Sequence, residues 1–140
     1  MGLSLEESIK SFVKAWESSE LSELVSFISP DYQAREITGG EIVDFGYDKC
    51  IKGWEDGFQF VEDNQAQWDV RVIKITPIRD DEAIVTITAS LLMNDEYFKG
   101  ANLFYETFKK NTDREWKVVR SYIEAGLPVQ YILDIVEKRS

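Results

Sequence analysis

The hydrophobic period of this chain changes at Asn64, from spacings of three and four to strict alternation, and that change dictates helices first and sheet afterwards. Behind Ser4, with Glu7 three residues on as a capping box, Leu5, Ile9, Phe12, Val13 and Trp16 fall on one helical face. Ser18, Ser19 and Glu20 interrupt the pattern. Leu21, Leu24, Val25, Phe27 and Ile28 then predict a shorter second helix that stops before Pro30, because the residue ahead of a proline is pushed out of the helical region. Tyr32 to Ile37 predicts a short strand. Gly39, Gly40 and Gly46 predict a mobile connection, a candidate flap carrying Ile42, Val43 and Phe45. Asp48 is the expected cap of a third helix whose apolar face is Ile51, Trp54, Phe58 and Val61. Gly53 and Gly57 sit inside that helix, where two glycines cost about 2 kcal/mol against alanine. Either something approaches the backbone there, or the helix lies close to the sheet.

Past Asn64, Trp68, Val70 and Val72 alternate with Asp69 and Arg71, and Ile73 and Ile75 continue in the opposite phase, which predicts a bulge. Ala83 to Leu92, Leu103 to Lys110 and Glu115 to Glu124 predict three further long strands. The turn residues at 79–81 and 111–114 join them as hairpins, giving an antiparallel meander. Pro128 opens a last helix, expected over 128–138, with Val129, Ile132, Leu133 and Val136 on one face. The expected class is α+β: N-terminal helices on a curved antiparallel sheet, plus an extra C-terminal helix. No repeat or linker divides residues 1–140, so one domain is expected, with a core over about 5–124.

Composition narrows the chemistry. The chain has no histidine, which removes Ser-His-Asp and Cys-His nucleophiles and the imidazole ligands of zinc or iron sites. Carboxylate, Tyr, Lys and Arg chemistry remains. No Asp-rich loop has calcium-ligand spacing, and neither a metal nor a cofactor is expected. The one cysteine, Cys50, reads as a small core residue rather than a nucleophile, since no histidine is present to activate it. A net charge of −10 without any Lys/Arg stripe argues against nucleic acid and anionic membranes as partners. No signal-peptide pattern and no apolar run near the roughly 18 residues of a spanning helix are present, so a cytoplasmic location is expected. Eighteen aromatic residues, four Trp, six Tyr and eight Phe, exceed what a small core needs and suit either a cavity wall or bulky core packing.

Three passages carry a family resemblance. They are Phe12-Val13-Lys14-Ala15-Trp16 with Glu20-Leu21, Leu24-Val25 and Ser29-Pro30-Asp31-Tyr32; Gly46 through Trp54 and Phe58; and Glu106-Thr107-Phe108 with Trp116-Lys117-Val118-Val119. In these passages and in its order of elements the chain resembles the nuclear transport factor 2-like superfamily, which includes ketosteroid isomerase and polyketide-cyclase-type enzymes alongside many binding modules. The resemblance implies a sheet curled into a cone around a pocket closed by the helices, and a homodimer formed through the outer sheet face. It carries fold more than function, because the passages record packing and turns.

Tyr32, Ala34 and Glu36 share one face of the first strand. The resemblance puts Glu36 where ketosteroid isomerase has its general-base carboxylate. It puts Phe12 where that enzyme has an oxyanion-binding tyrosine, and no Asp here falls at the second oxyanion donor, so steroid isomerisation by that mechanism is not expected. If Phe108 pairs with Trp116, then Asn102, Phe104, Glu106, Val118, Arg120 and Tyr122 lie together on one face, with Glu106 near Arg120. That pair reads either as a ligand anchor inside the cone or as a cross-strand salt bridge on the outer face. Burial among Trp16, Tyr32, Trp54 and Phe104 would raise the pKa of Glu36 and suit a base, whereas a nearby Arg120 would lower it and suit a charged anchor. The expected protein binds a small apolar or ring-bearing molecule in a pocket lined by Phe12, Trp16, Tyr32, Trp54, Phe58, Asn102, Phe104, Glu106, Arg120 and Tyr122. An isomerase, dehydratase or cyclase with Glu36 as base and a non-catalytic interaction or dimerisation module are the alternatives.

Overall fold

The computed structural model describes residues 2–98 and 100–139, with side chains described through Ile135. In chain order the elements are α1 (Leu5–Glu17), α2 (Leu21–Val25), β1 (Ile28–Thr38), β2 (Glu41–Gly46), α3 (Tyr47–Asn64), β3 (Gln67–Arg79), β4 (Glu82–Met93), β5 (Glu96–Tyr97), β6 (Ala101–Lys110), β7 (Trp116–Leu127) and α4 (Val129–Arg139). The expected capping box starts α1: the Glu7 amide donates to Ser4 Oγ at 3.1 Å, and the Ser4 amide to Glu7 Oε1 at 2.9 Å. Asp48 is not the cap of α3. Strand β2 stays paired to β1 as far as Gly46, which caps the helix without a side chain, so Asp48 falls in the first turn and meets the helix dipole there.

One sheet runs in the order β2-β1-β7-β6-β4-β3, with β5 beside β4. The antiparallel meander β3-β4-β6-β7 is as expected, and the β3 bulge falls between Val72 and Lys74 where the phase changes. Three expectations about the sheet are corrected. The 39–46 connection is no flap: Gly39 (φ 57°) and Gly40 (φ 84°) form a two-residue turn of the kind that needs positive φ at both positions, and Glu41–Gly46 pairs along its length with β1. The first strand is also longer than expected. It begins at Ile28, which pairs with Val118 rather than ending a helix, and the register shifts between Ile28 and Gln33, where Pro30 interrupts the ladder. Because β1 runs parallel to β7, the sheet is mixed rather than wholly antiparallel.

The inner face of the sheet closes on α1 and α3 over a continuous core that includes Phe12, Trp16, Leu24, Val85, Ile87, Phe108 and Val118. Helix α4 packs against β3 and β6, the strands flanking β4. Ile73, Ala101 and Ile132 are buried but stand apart from that core, on the three elements β3, β6 and α4 that meet one another. The extra helix therefore covers the sheet instead of plugging the cone. Ile132 and Leu133 fit the expected inward face, Val129 is half-buried, and Val136 lies outside the described side chains.

Candidate ligand-binding site

Between α3, the β1–β2 hairpin and the inner faces of β4, β6 and β7 lies a cavity of about 630 Å³. Three of the four tryptophans, Trp16, Trp54 and Trp68, form its wall with Phe104, Tyr32 and Phe45. Their rings meet edge to face: Trp16 to Trp54 at 4.7 Å and 82°, Trp16 to Phe104 at 5.0 Å and 86°. Such contacts lock a rigid apolar surface. The Trp16 indole N–H is buried with no acceptor. On α3, Gly53 borders the cavity, and a Cβ there would meet nothing within 4 Å, while one at Gly57 would only touch the Trp68 ring at 4.0 Å. Neither glycine is needed for a close helix–sheet approach; Gly53 leaves space.

One ionisable group is sealed into the wall. Glu106, 2% exposed, accepts from Ser121 Oγ at 2.5 Å, and Ser121 Oγ in turn accepts from the Tyr32 hydroxyl at 2.7 Å. Burial pushes the Glu106 carboxyl up to about 7, partly offset by the Ser121 hydrogen bond. The same desolvation raises Tyr32 far above its ordinary range and the Cys50 thiol beside it to about 11, so both stay neutral and Cys50 is no nucleophile. Among the described residues no Lys or Arg pairs with Glu106. The exposed rim carries Lys49, Lys52 and Asp56, with half-buried Glu36 opposite; Lys52 is held by Asp56 at 3.0 Å. No group of three or more His, Cys, Asp or Glu among the described residues could hold a metal ion.

Of the sequence-predicted residues, Trp16, Tyr32, Glu36, Trp54, Asn102, Phe104 and Glu106 border the cavity. Phe12 and Phe58 pack in the core behind it. Arg120 and Tyr122 are on the other side of the sheet. Phe108 pairs with Val118 and not Trp116, and Val119 is an extra residue that reverses the phase of β7, so Ser121 and Ile123 face inward while Arg120 and Tyr122 face out. Arg120 meets Glu82 on β4 at 2.5 Å, not Glu106. Glu36 accepts from Thr38 Oγ1 at 2.9 Å and has no buried partner. Ser121 escaped the sequence reading; the alternation of Arg120, Tyr122 and Glu124 against Ser121, Ile123 and Ala125 is the signal that contains it. Cys50, expected as a small core residue, is buried in the core and also borders the cavity. The new placement of Arg120 makes a test: Arg120→Ala should cost roughly 1–2 kcal/mol, because the buried Glu82 carboxylate loses its better partner, and should leave ligand binding in the cavity unchanged. Denaturant titration and a binding isotherm on the same variant check both halves.

No family model matches the chain, and no curated protein matches it in sequence. Solved structures do. A nuclear transport factor 2-like protein of unknown function from Shewanella oneidensis superposes with a TM-score of 0.64 at 15% identity, over 86% of this chain and 95% of that one. A ketosteroid isomerase-like protein from Erwinia carotovora atroseptica gives 0.64 at 12%, over 89% and 95%. A cystatin-like domain of unknown function from Nostoc punctiforme gives 0.66 at 13%, over 96% and 83%. This chain therefore has the cone fold of the nuclear transport factor 2-like proteins. No described helix is long and apolar enough to cross a membrane.

Proposed function

We propose that this protein binds a small ring-bearing molecule in the tryptophan-walled cavity, with Glu106, Ser121 and Tyr32 meeting the ligand's polar end. The observation that carries the reading is an unpaired, desolvated carboxylate set into an otherwise aromatic wall. Structural carboxylates are ordinarily exposed or paired, and a concave apolar site with a few convergent polar groups is the usual form of a small-molecule pocket.

Proton transfer is the second reading, and Glu106 favours it over Glu36: a carboxyl poised near neutral pH is matched to general acid–base work. The homodimer remains a proposal. Helix α4 packs against β3 and β6, which leaves the exposed Tyr105 and Tyr122 as a free part of the outer face.

The test uses the tryptophans themselves. A panel of neutral, anionic and cationic ring compounds is titrated while tryptophan emission is followed in the native protein and in Gly53→Leu. Saturable quenching is expected in the native protein for at least one class. It should disappear in Gly53→Leu, whose melting temperature should match or exceed the native one because the helix gains a better former. If every class fails to quench, or the filled variant binds as well, the cavity is not the site.

A further inference from the structure

We propose that the cavity takes an organic cation, a ring-bearing ammonium whose charged head sits against Glu106 inside the Trp16, Trp54 and Trp68 wall. This inference rests on the cavity reading above and names the chemical class of its ligand.

The hydrogen-bond directions give the first reason. Tyr32 donates to Ser121 and Ser121 donates to Glu106 Oε1, so both hydroxyl protons are spent along the chain. What this chain leaves is acceptor capacity, on the Tyr32 oxygen beside the Cys50 thiol and on Glu106 Oε2, which has no partner among the described residues; elsewhere in the wall the Trp16 indole N–H is a buried donor without an acceptor. A ligand that complements the two acceptors supplies positive charge or N–H donors. The wall gives the second. Indole faces carry negative potential and attract ammonium groups, most strongly where water is excluded.

Of the remaining charges around the cavity, Lys49 is a cation without an ion pair among the described residues, and it lies at the rim, over the Phe45 ring at 6.0 Å. Facing Glu106 from β1 and α3, the Tyr32 hydroxyl and Cys50 thiol are uncharged at neutral pH. At the rim, Lys52 is held by Glu55 at 3.4 Å and Asp56 at 3.0 Å, and Lys49 shares the opening with Glu36. The chain's net charge of −10 adds long-range attraction for cations and repulsion for anions. A cation brought within about 4–6 Å of a buried carboxylate stabilises its ionised form, so binding and deprotonation of Glu106 reinforce one another.

The experiment compares phenyltrimethylammonium, whose charge does not titrate, with its neutral carbon isostere tert-butylbenzene. Tryptophan emission is the readout in the native protein and in Glu106→Gln, at pH 5.5 and pH 8. At pH 8 the cation should bind about tenfold tighter than the isostere, or more, and at pH 5.5 that advantage should fall by about tenfold as Glu106 takes up its proton. In Glu106→Gln the preference should be small and independent of pH. If Glu106→Gln does not fold, the two native pH arms decide alone. An isostere that binds as tightly as the cation at pH 8, or a cation preference indifferent to pH in the native protein, overturns this proposal while leaving the cavity reading intact. Absence of quenching by both compounds at both pH values counts against the cation proposal, and the cavity reading then stands or falls on the wider panel.

Discussion

Glu106→Gln should raise the melting temperature at pH 8 and leave it nearly unchanged at pH 5. The sign follows from linkage. Glu106 has an ordinary carboxyl value of 4.5 when the chain is unfolded and about 7 when folded, so the folded state holds the proton more tightly. Its stabilising effect is fully present below about 4.5 and is lost as pH rises through 7, where a desolvated charge must form with one hydroxyl as partner. A difference of this size corresponds to roughly 3 kcal/mol at pH 8, on the order of 10 °C for a chain of this length. The glutamine carbonyl still accepts from Ser121, so the variant keeps the hydrogen bond and removes the charge. Thermal melts of both proteins at the two pH values decide the matter. A native protein clearly more stable than Glu106→Gln at pH 8 would mean that some cation already compensates Glu106, and the unpaired-carboxylate argument would fail.

The buried charge of Glu106 bears on function as well as on folding. A residue whose amide counterpart makes the fold more stable is retained for something other than stability, and stabilising substitutions that damage a site are a common trade. Glu106 therefore separates from Glu82. Both are buried carboxylates on neighbouring strands, but Glu82 is answered by Arg79 and Arg120, which is how a structural carboxylate is satisfied.

The sequence made Glu106 visible but assigned it the wrong partner, and the cause is local. Counting in twos from a pairing of Phe108 with Trp116 fails because a single extra residue at Val119 turns every later side chain over. Ahead of the bulge the reading holds, as Phe104, Glu106 and Asn102 border the cavity. After it, Arg120 and Tyr122 move out and Ser121 moves in. In β3 the equivalent irregularity was legible because Val72 and Ile73 are both apolar and mark the phase change themselves. The faces of α1 and α3 were legible, since they rest on large aromatics at helical spacing, but the start of α3 and the end of α2 were not, because strand pairing of Gly46 and Ile28 sets both. The parallel pairing of β1 with β7 was not, because no period within either strand specifies a partner 80 or more residues away. The Gly39-Gly40 hairpin is legible in principle, because adjacent glycines between extended runs signal a tight turn as readily as a mobile connection.

Phe12→Ala should be the most damaging single truncation in this protein, with a loss of about 3–5 kcal/mol. Phe12 is fully buried, and its ring stands nearly perpendicular to those of Trp16 at 5.9 Å, Phe27 at 6.0 Å, Trp54 at 6.5 Å and Phe108 at 5.5 Å. It joins α1, α3, β6 and the turn between α2 and β1, so the void left by alanine cannot collapse without moving several elements. Urea unfolding should show a lower midpoint with an unchanged slope, the mark of lost stability rather than an altered denatured state. Phe12→Tyr distinguishes core from site at the position where the family resemblance implies an oxyanion-binding tyrosine. If Phe12 is core, its new hydroxyl lies among rings without an acceptor, costing about 1–3 kcal/mol and leaving ligand affinity alone. If instead Phe12→Tyr is as stable as the native protein and changes affinity, the hydroxyl reaches the cavity, and Phe12 belongs to the site after all.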